Sequence, residues 1–490
     1  MRLAWAVIVG GSLGAAAACS GSATSDCEGE ACTAPPPPRE GGPDAPAPPP
    51  PPPDPPVDSG VHGALLFAQS YGGADEEFED GIAADPSGGL GLVGSAKSSF
   101  DFGSGMLVNA GGADAFVAKL DKDGKTLAAR FFGDASDQFG TSIAINGAGE
   151  TFALVLYHGT VDWGGIQDVA NADGAFDLSL GRLRIDLSFA NRAYLGGAGP
   201  QNGFSVFADP AAGAYVAGQN GGSMSVAGAP LTATEVNDGF AAHVLSSQDW
   251  GAPLADPAPG MDVKGIAFDA SGSAYVTGSF TGTMDLGGGP VTSAGGADIF
   301  VEKLDAAGKH VKTARFGGAS DDRAQRIAVD KSGRIVLAGW YTGSSSLGTA
   351  TVTSKGAEDV FVLALDASLA PLQTLTFGSA ANDEATGLAI DASGGILLTG
   401  NTFGMIDFGG GPLPNAGMAD IFVAKLRSDG AHVWSRTMGD AGDQRSYYGA
   451  AISTTGDVWI TGHFTGSMDV GGKTLTSAGL HDVFLAKYSP

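Results

Sequence analysis

The sequence predicts an all-β protein, a seven-bladed β-propeller with four strands in each blade. A motif of the form Asp-x-Phe-Val-x-Lys-Leu recurs at a nearly constant spacing between residues 62 and 490. Each repeat holds four short apolar runs separated by turn residues, which is typical of short strands. The phase of the repeat also splits one unit between the two ends of the domain. Repetition of a four-stranded unit about an axis leaves only short, protected sheet edges.

The repeat motif occurs seven times, twice in degenerate form. Its copies begin at Asp114, Asp177, Asp238, Asp298, Asp359, Asp420 and Asp482. Successive spacings are 63, 61, 60, 61, 61 and 62 residues, so the 429 residues from 62 to 490 hold seven units of about 61. A fixed period of this kind is typical of repeat architectures.

The fourth repeat illustrates the four predicted strands. They cover residues 264–269, 273–278, 298–305 and 312–316, with tight turns at 270–272 and 306–308 and a loop of about twenty residues between the second and third. Both alternating sets of side chains in the third strand are apolar, which indicates that both faces of the sheet are covered.

Small residues recur where strands should converge on an axis. One position of the first strand is alanine in six units and Phe207 in the third; the alanines are Ala83, Ala144, Ala267, Ala328, Ala389 and Ala451. Glycine closes the second strand in six units, as Gly94, Gly218, Gly278, Gly339, Gly400 and Gly462. Such glycines leave room for a close neighbouring backbone.

The two ends of the domain are expected to complete one blade together. Residues 64–70 read as a fourth strand and residues 482–488 as a third strand. Their pairing would close the ring by hydrogen bonds. The outer strand of the third unit is less certain, because the usual Phe-Gly-Gly step is missing between residues 248 and 261.

The N-terminus predicts an exported, anchored protein. Residues 1–18 combine a basic start, an apolar core too short to span a bilayer, and small residues before Cys19, as in a cleaved signal. The layout resembles a bacterial lipoprotein signal, although Ala16 stands where that family prefers leucine. The resemblance implies lipidation of Cys19 and, with Ser20 next, placement at the outer membrane of the cell envelope. Ordinary secretion with an incidental cysteine is the alternative.

Residues 19–61 are expected to form a disordered tether. Fourteen of the 26 prolines lie between Pro35 and Pro56, a composition that favours an extended stalk. Cys27 and Cys32 are either a disulfide pair, which an oxidising exterior would allow, or two solvated thiols.

Composition excludes several classes of protein. The 26 Lys+Arg against 53 Asp+Glu give a formal net charge of −27, which argues against nucleic-acid binding. No stretch after residue 30 is long and apolar enough to cross a bilayer as a helix. The seven histidines show no metal-ligand spacing, and no catalytic motif is assembled, so we predict neither catalytic residues nor a resident cofactor.

Three sets of acidic residues recur. The aspartates that open the third strands, and those of an x-Asp-x-Gly turn at Asp101, Asp162, Asp285, Asp407 and Asp469, are expected to accept local backbone N–H groups. A third set follows the Phe-Gly-Gly step and includes Glu76, Glu77, Asp137, Asp321, Asp322, Asp383, Glu384 and Asp443. Within it, Glu76, Asp137, Asp321, Asp322 and Asp443 are candidate Ca²⁺ ligands, because hard oxygen ligands suit that ion. An acidic, solvated rim is the alternative.

Residues 278–308 and 316–339 resemble the seven-bladed β-propeller repeat, SBBP, of secreted bacterial proteins. The resemblance extends over residues 62–490 and implies a fold and an extracellular setting, but no reaction. We therefore expect a monomeric propeller that binds or scaffolds a protein or carbohydrate partner at the envelope. The alternative is a propeller enzyme, glycosidase-like or lyase-like, which the fold alone does not exclude. Carboxylates or histidines converging in one cleft would favour the enzyme.

Overall fold

The computed structural model describes residues 62–490 except 210–212, 227, 234–237, 255–259 and 349. This part of the chain consists of β-strands with no helix, so it contains no helix that could cross a membrane. The main strands form seven successive antiparallel sheets, of which the fourth and fifth are joined edge to edge where Gly317 and Gly318 pair with Ser346 and Ser345, and this arrangement confirms the all-β propeller class. The predictions for residues 1–18 and 19–61, including those for Cys19, Cys27 and Cys32, concern residues outside the described part of the chain.

Each sheet is a blade whose strands we call a to d from the axis outwards. Blade 1 has Glu77–Ala84, Leu90–Ala96, Asp114–Leu120 and Thr126–Phe132. Blade 2 has Gln138–Ile145, Thr151–Tyr157, Asp177–Leu183 and Phe189–Tyr194. Blade 3 has Gln201–Ala208, Ala214–Asn220, Asp238–Val244 and Trp250–Leu254. Blade 4 has Asp262–Phe268, Ala274–Phe280, Asp298–Leu304 and His310–Gly318.

The remaining blades follow the same order. Blade 5 has Asp322–Val329, Ile335–Leu347, Ala350–Leu365 and Pro371–Phe377. Blade 6 has Asp383–Ile390, Ile396–Thr402, Asp420–Leu426 and His432–Met438. Blade 7 has an interrupted strand a, Gln444–Arg445 and Ala450–Ile452, then Val458–Phe464 and Asp482–Tyr488, with Leu65–Tyr71 as its strand d.

Blade 7 therefore joins the two ends of the domain. Leu65–Tyr71 pairs antiparallel with Asp482–Tyr488, in register from Phe67 with Lys487 to Tyr71 with Val483. Strand a of blade 1 contacts strands a, b and c of blade 7, as each blade contacts its predecessor elsewhere in the ring. The a strands of all seven blades line one central cavity of about 290 Å³.

The glycines that close the b strands meet the backbone of strand a, as expected. A Cβ atom on Gly278 or Gly339 would overlap the carbonyl oxygen of Asp262 or Arg323. Strand a carries a β-bulge one or two residues later, so its backbone bends towards strand b at this level. A side chain at these positions would separate the two strands.

Lysines of the repeat motif connect neighbouring blades on the lower face, where strands a and b are joined. Lys119 Nζ lies 2.7 Å from Asp85 Oδ2 and donates to Gly149 O of blade 2, also at 2.7 Å. Lys487 Nζ in blade 7 donates in the same way to Lys122 O of blade 1. The motif lysine therefore links blades across a seam, and its burial is compensated by these partners.

The long segments between strands b and c begin and end on the upper face but do not stand above it. Each turns down along the outside of its blade; for example, Thr374 Oγ1 in the middle of a d strand donates to Leu347 O. Their apolar residues are buried against the outer strands, among them Phe102, Trp163, Met284, Leu347, Phe408 and Met468. These segments therefore cover the outer strands, which would otherwise leave apolar surface in water.

Two irregularities foreseen in the sequence have structural counterparts. Trp250–Leu254 forms the outer strand of blade 3 despite the missing Phe-Gly-Gly step, and pairs with Asp238–Val244. Phe207 is partly exposed and packs edge-to-face on Phe268 of blade 4, with ring centroids 5.1 Å apart. The interruption in strand a of blade 7, at residues 446–449, was not foreseen.

Candidate functional site on the upper face

The upper face of the ring carries the starts of the a and c strands and therefore most of the recurrent acidic residues. The aspartates that open the c strands accept the N–H four residues before them, as predicted. The pairs are Asp114 with Ala110, Asp298 with Ala294, Asp359 with Lys355, Asp420 with Ala416 and Asp482 with Ala478, at 2.6–2.9 Å. The turn aspartates accept glycine N–H groups, for example Asp285 from Gly287 and Gly289.

A second buried side chain faces each of these aspartates across the seam between blades. It is the first residue of the next a strand, which we call the seam residue: Gln138, Gln201, Asp322, Asp383, Gln444 and, in blade 1, Glu77. Five of the six seam residues also accept an N–H from four residues earlier, at 2.7 Å from Gly318 in the case of Asp322 and 3.1 Å from Asp134 in the case of Gln138. The exception is Gln201, whose Oε1 atom is buried without a hydrogen-bond partner among the described residues. Amides and carboxylates thus serve the same purpose at equivalent positions.

Burial makes ionisation unfavourable for several of these carboxyls. It raises the pKa of Asp114 to about 6, against a hydrogen bond from Ala110 that acts the other way. Burial likewise raises the pKa of Asp322 to about 6, and the charge of Asp298 adds to the effect. One oxygen of each of these three aspartates is buried without a hydrogen-bond partner among the described residues.

The candidate Ca²⁺ ligands lie at separate seams. Glu76 pairs with Lys97 at 2.6 Å, and Asp443 pairs with Arg445 at 3.0 Å. Asp137 and Asp321 accept the N–H groups of Ala113 and Ala297 at 3.0 and 2.9 Å. Asp321 and Asp322 share a seam through their positions in the sequence, whereas the others belong to different blades.

The separation of these candidate ligands limits their ability to bind one metal ion together. Within the described ranges, no group of three or more His, Cys, Asp or Glu side chains is placed to hold a metal ion. Each candidate instead has a backbone or cationic partner of its own. Ca²⁺ binding by Glu76, Asp137, Asp321, Asp322 and Asp443 stays a prediction, and binding would require these side chains to exchange partners.

A cluster of histidine, glutamate and aromatic side chains, which sequence reasoning missed, lies between blades 7 and 1. His463 Nδ1 is 3.2 Å from Glu79 Oε2, and both side chains are almost fully buried. The ring of Phe78 packs edge-to-face on His463 at 4.8 Å and is stacked on His481 at 5.1 Å. Tyr447 lies over the pair, 5.4 Å from His463 between ring centroids, and is itself exposed. We call these residues the blade 7–1 cluster.

One signal for this cluster is present in the sequence. Glu79 occupies a position of strand a that is otherwise small or apolar, with Gly140, Gly203, Val263, Ala324 and Ala385 as its equivalents in blades 2–6. Its Oε1 atom is buried and has no hydrogen-bond partner in the described part of the chain. Residues that break a local packing rule are expected at functional or strained sites, which makes Glu79 a candidate functional residue.

A second pair of carboxyls lies between blades 5 and 6. Burial and the neighbouring Glu384 raise the pKa of Glu358 to about 8, with Arg323 opposing the shift. Arg323 also lies over the ring of Trp340, 5.6 Å from its centroid. At neutral pH this pair holds a proton, so it carries less negative charge than its composition indicates.

The exposed large apolar side chains of the b–c segments lie in one arc of the ring. Among the described b–c segments, the large apolar side chains exposed to solvent are Met106 and Val108 in blade 1, Ile166 and Val169 in blade 2, Met405 and Met418 in blade 6, and Leu480 in blade 7. These four blades are consecutive around the ring, and the blade 7–1 cluster lies at the middle of the arc. We call this set the apolar arc.

Comparison with known proteins gives matches in structure only. No family model matches the chain, and no curated protein does. Among solved structures, a streptogramin B lyase is 9% identical, covering 86% of this chain and 97% of its own, with a TM-score of 0.44. YCF48 bound to a D1 peptide is 11% identical, with coverages of 88% and 100% and a TM-score of 0.41.

A polysaccharide lyase, the PL25 ulvan lyase, is a third match. It is 10% identical, with coverages of 84% and 96% and a TM-score of 0.40. Similarity at this level carries no information about the ligand or reaction of the present protein.

Proposed function

We propose that the protein is a lipid-anchored binding or scaffolding module of the cell envelope, and that its partner contacts the apolar arc. The lipoprotein-like signal before Cys19 supports the location, and the similarity of the repeats to the SBBP family supports an extracellular setting. The observation that carries the binding role is that, among the described b–c segments, the exposed large apolar side chains all belong to four consecutive blades. Exposed apolar groups that cluster on one side of a soluble protein favour an interaction surface.

The chemistry of the arc favours a protein partner over a carbohydrate. Three of its seven side chains are methionines, which adapt their shape to a partner and are enriched at protein interfaces. Tyr447 adds an exposed aromatic ring in blade 7, which belongs to the same four blades. The acidic residues around the arc would form a polar rim.

Capture experiments with paired variants test this proposal. Met418→Lys and Leu480→Lys place a charge within the arc, at side chains that are 63% and 57% exposed. Leu372→Lys and Val311→Lys, 56% and 50% exposed on the outer strands of blades 5 and 4, are matched controls. The full chain should retain a partner from envelope extracts, and the arc variants should lose it while the controls keep it. Equal retention by all four variants would contradict the assignment of the arc.

An enzymatic role is a second candidate, and the blade 7–1 cluster is the observation that favours it. A buried histidine hydrogen-bonded to a carboxylate is a common general acid–base arrangement, and Tyr447 and His481 lie beside it. The test is incubation with a panel of envelope polysaccharides. A glycosidase would release reducing ends, and a lyase would form a carbon–carbon double bond that absorbs in the ultraviolet. Either activity must disappear in His463→Gln and persist in the arc variants.

A further inference from the structure

The central cavity contains a cation that no acidic side chain neutralises. Arg326 of strand a in blade 5 extends towards blade 7, where its guanidinium lies 3.6 Å from the ring centroid of Tyr448 and donates to Tyr447 O at 3.2 Å. It also donates to Lys264 O of blade 4 at 3.4 Å and to the carbonyl of Gln325. Among the described residues, no carboxylate lies within ion-pair distance of this guanidinium.

The position of Arg326 in the repeat is otherwise occupied by small residues. Each a strand has one residue directly after its β-bulge, and in blades 1–6 these are Gly81, Ser142, Ser205, Gly265, Arg326 and Gly387. In blade 7, Gly449 stands beside the interruption that carries Tyr447 and Tyr448. Arg326 is thus the large side chain at a level of the cavity that the other blades leave open.

Uncharged donors line the same cavity. Ser142 Oγ accepts the N–H of Val206 at 3.1 Å, and Ser205 Oγ accepts that of Ile266 at 3.3 Å. Neither hydroxyl donates to an acceptor among the described residues, so each can donate its proton to a ligand. In the blades where glycine replaces serine, that position has no side-chain oxygen to accept the corresponding backbone N–H. The N–H of Ile143, which lies beside Gly81, is an example.

We propose that the central cavity binds a small organic or inorganic anion, a carboxylate or phosphate group, held by Arg326 and by the hydroxyl and amide donors around it. A guanidinium has five N–H groups, and the carbonyl oxygens that it meets here carry no net charge to balance it. Burial lowers the pKa of Arg326 to about 10, so the group stays charged at neutral pH.

The size and surroundings of the cavity limit the ligand. A volume of about 290 Å³ is at the lower end of small-molecule sites, which begin at about 300 Å³. The apolar side chains of Ile82, Ile143, Val206 and Ile327 also line it, which suits a short hydrocarbon chain on the anion. The net charge of −27 is no obstacle, because salt screens exposed charges beyond about 10 Å.

Titration with acetate, butyrate and inorganic phosphate tests this proposal in the full chain. At fixed ionic strength and pH 7, calorimetry should detect binding of at least one probe, and the same probe should raise Tm by mass action. Binding of acetate and butyrate but not phosphate would identify a carboxylate site, and the reverse a phosphate site. No heat and no change in Tm with any probe would overturn the proposal.

Variants locate the site. Arg326→Gln should weaken binding by about tenfold or more, since it removes a charge-assisted hydrogen bond. Arg334→Gln is the matched control, because Arg334 lies in the same blade but pairs with Asp330 on the lower face. Equal weakening in both variants, or in neither, would contradict the assignment to Arg326.

A second measurement does not depend on the folding of a variant. Phenylglyoxal modifies accessible arginines, and peptide mass spectrometry reports the modified fraction at each one. A bound anion should protect Arg326 and leave Arg334 unchanged. Modification of Arg326 at the same rate with and without the probe that binds would place that probe elsewhere and overturn the proposal.

Discussion

The buried seam residue Asp322 should make the protein less stable as the pH rises, and Asp322→Asn should remove this effect. In the folded protein burial raises the pKa of Asp322 to about 6, whereas an unfolded aspartate titrates near 4. The folded state therefore binds the proton more tightly. The resulting stabilisation is complete below about pH 4 and is lost as the pH rises through 6.

The magnitude follows from the two pKa values. Raising a pKa from near 4 to about 6 corresponds to about 3 kcal/mol between the protonated and ionised forms. Asparagine keeps an oxygen for the N–H of Gly318 and carries no charge to repel Asp298. Blades 2, 3 and 7 already use an amide here, as Gln138, Gln201 and Gln444. The variant should therefore be more stable than the natural protein at pH 7, by up to about 3 kcal/mol.

Thermal melting of both proteins between pH 4.5 and 7.5 measures this difference. The Tm of Asp322→Asn minus that of the natural protein should be small at the acidic end and grow until the pH passes 6. Asp330→Asn is the opposing control: although burial acts against it, hydrogen bonds from Ser332 and Arg334 keep the pKa of Asp330 below its ordinary value. Loss of the Asp330 carboxylate in this variant should lower Tm at pH 7. A difference for Asp322→Asn that is independent of pH would refute this reasoning.

Three further predictions concern ring closure, Ca²⁺ binding and membrane anchoring. Deleting residues 482–490 should abolish cooperative melting or solubility. The deletion removes Val483, Phe484, Leu485 and Tyr488, which are fully buried and each contribute about 1.5–3 kcal/mol to the free energy of unfolding. A truncated chain that melts like the intact one would contradict ring closure. Millimolar calcium should raise Tm relative to chelator at constant ionic strength if Ca²⁺ is bound by Glu76, Asp137, Asp321, Asp322 and Asp443. Identical melting curves with calcium and with chelator would support the alternative, an acidic, solvated rim. Cys19→Ser should release the protein from the membrane fraction with its Tm unchanged; a variant that still sediments with membranes at high salt would indicate another anchor.

The architecture could be predicted because each blade repeats the same local pattern. The seven copies of the motif, the alanines on the inner strands and the glycines that close the b strands each describe a requirement that recurs every 61 residues or so. Ring closure could be predicted from the phase of the repeat alone. The domain begins with a fourth strand, Leu65–Tyr71, and ends with a third strand, Asp482–Tyr488, so these two strands belong to the same blade. Repetition supplied the long-range information that a single sequence ordinarily lacks.

The candidate functional features could not be predicted from the average repeat, because they depend on contacts between distant residues. His463 and Glu79 are 384 positions apart in the sequence, and Arg326 reaches Tyr447 across 121 positions. The path of the b–c segments down the outer strands also depends on packing that no local pattern expresses. Side-chain contacts of this kind follow from the closed ring and not from any one repeat.

Departures from the repeat are nevertheless visible in the sequence, and they occur close together. Glu79 and Arg326 are charged where equivalent positions are small or apolar, and Tyr447 and Tyr448 occupy an interruption of the strand that the other six blades keep continuous. A repeat that is under selection only for packing would lose such residues, because a buried charge costs stability unless it is compensated. Arg326 contacts both tyrosines, and Tyr447 packs against His463, which is bonded to Glu79. The cavity and the blade 7–1 cluster therefore adjoin through Tyr447. A ligand on Arg326 would bear on the tyrosine pair and, through it, on the surface at the middle of the apolar arc.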